Sequence, residues 1–60
     1  MRIAIKKQIK VAEFTINKGE QGVVFAHQWN KDGDFKFVVR FDDKNIPELG
    51  ISVNDVNIIE

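Results

Sequence analysis

Apolar side chains in this chain recur at every second position, and that spacing restricts the fold more than any other feature. Ile3 and Ile5 alternate with Arg2, Ala4 and Lys6. Ile9 and Val11 alternate with Gln8 and Lys10, and Phe14 and Ile16 with Thr15 and Asn17. A period of two puts one set of side chains on one face of a strand. The apolar set is mostly β-branched or Phe, which suits a pleated, half-buried surface. No long window keeps an i, i+3, i+4, i+7 apolar face without an interrupting Gly or Pro. The chain is therefore expected to be all-β.

Turn residues divide these runs. Asn17-Lys18-Gly19-Glu20-Gln21-Gly22 carries two glycines, expected to supply positive φ. Val23 to Trp29 reads as a long strand and Phe35 to Phe41 as its partner. Between them, Asp32-Gly33 is a strong short hairpin signal. Asp42-Asp43-Lys44-Asn45 is a polar turn, and Ile46-Pro47 is extended, because a residue before proline avoids the helical region. Ile51-Ser52-Val53 reads as a short strand, Asn54-Asp55-Val56 as one helical turn, and Asn57-Ile58-Ile59 as a last strand. About five short strands in 60 residues imply one tightly bent small barrel spanning residues 1–60.

Composition removes several classes. There is no Cys, so no disulfide framework or thiolate metal site can form. With 43% hydrophobic residues the chain is too apolar for charge-driven disorder. No apolar run approaches the ~18 residues of a membrane helix. Nothing at the N-terminus has the apolar core of a signal peptide, and the expected location is cytoplasmic. A chain this short buries only roughly 60% of its unfolded surface. Most of the five Phe, the one Trp and the many Ile are thus needed for folding, and an oligomer would relieve that demand.

The pattern Lys18-Gly19-Glu20-Gln21-Gly22-Val23-Val24, then Val38-Val39-Arg40-Phe41-Asp42, then Ser52-Val53-Asn54-Asp55-Val56-Asn57-Ile58-Ile59 resembles the SH3-like small barrels. KOW modules, subunit IV of photosystem I and the variable chain of ferredoxin–thioredoxin reductase are similar in this way. The resemblance covers residues from about 9 to 59. It implies a barrel of about five strands with a helical turn near Asn54-Val56. It implies no one function, since such barrels serve in RNA binding, peptide binding and docking. The Ala-Leu-Tyr-Asp-Tyr stretch and Trp pair of signalling SH3 domains are absent, and the chain has no Tyr.

Which face of the long hairpin is open depends on register. With Asp32-Gly33 central in a two-residue turn, Lys31 faces Asp34. Val24, Ala26 and Gln28 then join Phe35, Phe37, Val39 and Phe41 on the core side. Phe25, His27, Trp29, Lys36, Val38 and Arg40 share the outer side as a candidate protein-binding patch rich in interface residues. A loop one residue longer would instead put Phe35, Phe37 and Phe41 with Phe25 and Trp29 in an aromatic core. The Asp-Gly signal and the Val38-Val39-Arg40-Phe41 pattern favour the first register.

Charge is uneven although the total is zero: residues 1–30 carry a net +3 and residues 31–60 a net −3. Lys6, Lys7 and Lys10 form a basic edge that could meet nucleic acid, with Trp29 and Phe25 as stacking partners. Lysines on an edge strand also guard against aggregation. Asn30, Asp32 and Asp34 have the spacing of a calcium loop, but Phe35 and Phe41 stand where its Gly and bidentate Glu belong. His27 is the only histidine and lacks converging ligands. Thr15 and Ser52 sit in no nucleophile motif. No metal, cofactor or membrane is expected, and catalysis is not expected from so thin a polar inventory. Three readings follow: a protein-docking module, a nucleic-acid-binding barrel, or a structural subunit of a homo-oligomer.

Overall fold

The computed structural model describes residues 1–31, 33 and 35–60. It is all-β, with seven strands rather than about five: β1 (Arg2–Ile5), β2 (Ile9–Val11), β3 (Phe14–Ile16), β4 (Gln21–Trp29), β5 (Phe35–Phe41), β6 (Leu49–Ser52) and β7 (Val56–Ile58). Five of them form one antiparallel sheet in the order β6-β5-β4-β1-β7, and β2 and β3 pair as a separate hairpin. The extra strands come from the alternating N-terminal runs, each long enough for three or four ladder residues.

A 3-10 turn (Val53–Asp55) links β6 to β7. It starts one residue earlier than the sequence suggests, because the Ser52 hydroxyl accepts the Asn54 amide at 3.3 Å and caps it. This link forces the shape of the sheet. Four strand spacings put opposite edges of a flat sheet roughly 19 Å apart. The chain from Ser52 to Val56 reaches at most roughly 14 Å. The sheet therefore curls until its two edge strands approach each other at this turn.

Curling encloses a core of Ile3, Ile5, Ile16, Val39, Phe41, Ile51 and Val56, flanked by Ile9, Val11, Val24, Phe37, Ile46 and Leu49. Every element but the 3-10 turn contributes to it. Burying each large side chain is worth roughly 1.5–3 kcal/mol, so these few residues dominate the stability of so small a domain. The Asn17–Glu20 turn follows from its residues: Gly19 takes φ +92°, and the Glu20 amide donates to the Asn17 carbonyl at 3.1 Å. Gly22 does not take positive φ as the sequence suggests. It is buried where β4 passes close to β5, a different reason for lacking a side chain. The polar turn after β5 is held by the Asp43 carboxylate, which accepts the Asn45 amide at 2.9 Å.

Candidate functional site

The β4–β5 hairpin is the longest ribbon in the molecule, and its register differs from the one a two-residue Asp32-Gly33 turn implies. Trp29 faces Phe35, Gln28 faces Lys36, His27 faces Phe37 and Ala26 faces Val38. Past an irregularity between Val24 and Ala26, Val24 faces Val39, Val23 faces Arg40 and Gly22 faces Phe41. The loop after Trp29 is longer than a two-residue turn requires, and Phe25 is the extra residue of a bulge. A bulge adds one residue to one strand only, which shifts the pairing and reverses which side chains look inward beyond it. The Asp32-Gly33 turn, the Lys31–Asp34 pair and the calcium-like spacing of Asn30, Asp32 and Asp34 fall partly outside the described residues.

Two consequences correct the expected patch. His27 and Trp29 lie on the core side of the ribbon with Phe35 and Phe37, while Phe25, Lys36, Val38 and Arg40 lie on the opposite side. Trp29 and Arg40 do not point outward together. Ala26 and Gln28, expected in the core, are exposed on the outer side.

On the core side, His27, Trp29, Phe35 and Phe37 form a continuous aromatic cluster. The His27 and Phe35 rings stack with centroids 5.4 Å apart. Trp29 meets Phe35 edge-on at 4.9 Å, and Phe35 meets Phe37 edge-on at 5.6 Å. Such offset and edge-to-face contacts are the favoured aromatic geometries. Phe37 touches the core, Phe35 is half-buried, and Trp29 at the outer end is 69% exposed. The cluster therefore continues the core outward onto a surface that, among the described residues, ends in the exposed Trp29 ring. Phe35 and Phe37 were absent from the sequence-derived patch. The longer-loop register would have indicated both.

On the outer side, Arg40 is committed within the molecule. Its guanidinium lies 4.7 Å from the centre of the Phe25 ring, and its Nε donates to Glu48 Oε2 at 2.7 Å. These contacts explain why Phe25 projects to this side, and they leave Arg40 poorly suited to lead a docking face. Lys36 packs near Gln28 along the same side, next to Gly50.

Lys6 and Lys7 lie in the bend after β1, and Lys10 lies on β2. All three are exposed, and none makes an ion pair among the described residues. They do not adjoin the aromatic cluster. β1 meets β4 at Gln21, and about 26 Å of extended strand separates that end from Trp29. The expected combination of a basic rim with Trp29 and Phe25 is therefore not assembled.

Among the described residues there is no pocket and no group of three or more His, Asp or Glu positioned to hold a metal ion. No helix among the described residues is long and apolar enough to cross a membrane. Comparison with family models, curated proteins and solved structures finds no match.

Proposed function

We propose that this chain is a small non-catalytic binding module that docks on a protein partner through the outer half of the β4–β5 hairpin. Trp29 carries the reading: the largest side chain in the sequence is 69% exposed at the end of a cluster with three further rings. Trp is among the residues most enriched at interaction hot spots, and contiguous apolar surface on a small domain usually marks an interface. The rings hold one another in place, so a partner meets a preorganised surface and little side-chain freedom is lost on binding. The recognised chemistry is apolar and aromatic, with the His27 ring and the Trp29 indole N–H as its polar groups. The same reading takes the curled sheet as an SH3-like small barrel, supported by the short link between its edge strands.

The test compares the parent chain with Trp29→Ala as baits in an extract of the source cells. A partner retained by the parent and lost by the variant supports the reading. Identical capture by both, with both folded, overturns it.

The lysines at residues 6, 7 and 10 support a second reading as a nucleic-acid-binding edge acting without the aromatic cluster. That mode depends on phosphate contacts and weakens steeply with salt.

A further inference from the structure

β4 has two edges, and only one is covered along its length. β5 pairs with it from Gly22 to Trp29. On the other side β1 reaches only residues 21–23, and the Val24 amide donates to the Met1 carbonyl at 2.9 Å. From Phe25 to Trp29 no described residue pairs with that edge. Unpaired backbone N–H and C=O groups on a strand edge are a template for another strand. Edges that stay single are usually guarded by Lys, Pro or another charge. Apart from the bulge at Phe25, this one carries no such guard: the eight residues from Val23 to Asn30 contain no Lys, Arg, Asp, Glu or Pro, although 30% of the chain is charged.

We propose that two copies of this chain join along that edge, β4 pairing antiparallel with β4 of the second copy about a twofold axis at Gln28. The proposal rests on the docking reading and names its partner. Gln28 then faces Gln28 of the partner subunit, and His27 faces Trp29 of the partner subunit, with the reciprocal contact on the other side of the axis. A twofold contact sets a patch against itself, so the patch must be self-compatible. An uncharged segment meets that condition, since no like charges oppose each other across the axis. The fit in length agrees. β4 ends at Trp29 and leaves the edge before it would run into Met1 of the partner subunit. The aromatic clusters of both copies lie on the same side of the joined sheet, and each indole is covered by the other subunit's rings.

The experiment is sedimentation velocity of the full chain over a wide concentration range. The parent is expected to pass from one-chain to two-chain mass as concentration rises. Gln28→Lys and Gln28→Glu each place like charges opposite each other at the axis, and each alone is expected to weaken association roughly fivefold. An equimolar mixture of the two variants is expected to restore it. Gln28 is exposed, and circular dichroism verifies that both variants remain folded. A parent of one-chain mass at every concentration overturns the dimer, as do single variants that associate as strongly as the parent. A one-chain parent that still captures a partner through Trp29 removes only the second copy and leaves the docking reading standing. Loss of both removes both.

Discussion

Replacing Gly22 with Ala should destabilise this domain by about 2 kcal/mol, although Gly→Ala is ordinarily favourable in extended backbone. A Cβ built on Gly22 would lie 2.6 Å from the Arg40 carbonyl oxygen, 2.8 Å from Val39 Cγ1 and 3.0 Å from Phe41 Cα. Two of these atoms belong to the β5 backbone, so the clash cannot be relieved by turning a side chain. β4 must move away from β5 where Val39 and Phe41 are buried. Overpacking of this kind costs about 1–3 kcal/mol, and backbone contact argues for the upper end. Loss of glycine freedom in the unfolded chain returns roughly 0.4–1 kcal/mol. The net is large beside the ~3–5 kcal/mol that a single core supplies at this size. Gly50→Ala is the internal control. Its Cβ would meet nothing closer than Gln28 Oε1 at 3.6 Å, an ordinary contact, so the same change there should be neutral or slightly stabilising. Urea unfolding followed by far-UV circular dichroism measures both. A Gly22→Ala protein as stable as the parent would refute the close approach of β4 and β5. Equal losses at Gly22 and Gly50 would show that glycine replacement, not packing, is responsible.

Ala12 holds φ +54° in the turn between β2 and β3, a conformation that costs a residue with a Cβ about 1 kcal/mol or more. Ala12→Gly should therefore raise the urea midpoint by a stabilisation of roughly 0.5 kcal/mol, and a lower midpoint would contradict it. Trp29→Ala should cost less than about 1.5 kcal/mol, the scale of one exposed aromatic pair, whereas Phe41→Ala in the core should cost about 3–5 kcal/mol and largely unfold the chain; thermal melts separate the two. Glu48→Gln should lower stability by no more than about 1 kcal/mol, and by less as salt rises, because the Arg40–Glu48 pair is solvent-exposed. If the basic edge binds nucleic acid, replacing Lys6, Lys7 and Lys10 with Gln should abolish retention of a single-stranded oligonucleotide at low salt without changing the melting temperature.

Local pattern made the strands legible. Phe35–Phe41 has the bounds its alternation implies, and β4 begins two residues before the Val23 to Trp29 run. The Asn17–Glu20 turn and the polar turn after β5 follow from Gly and Asp chemistry acting over a few residues. The closing 3-10 turn begins one residue before Asn54, because the Ser52 cap outweighs the weak preferences of Asn54 to Val56. The Ala12 turn gave no advance signal, since alanine marks no turn type.

What the amino-acid order settled by itself was the class of structure: period-two apolar runs punctuated by glycine and Asp-rich turns can bury their apolar faces only as sheet. The face that each hairpin residue presents was decided by the tertiary structure. One bulged residue at Phe25, stabilised by stacking under Arg40, reverses the inward and outward sense of everything beyond it and carries Trp29 to the core side, away from Arg40. Both alternate sets of β4, Val24-Ala26-Gln28 and Val23-Phe25-His27-Trp29, carry apolar residues, so the pattern there leaves register open by one. The long-range packing of β4 against β5 resolves that ambiguity, and the surface available for binding follows from it.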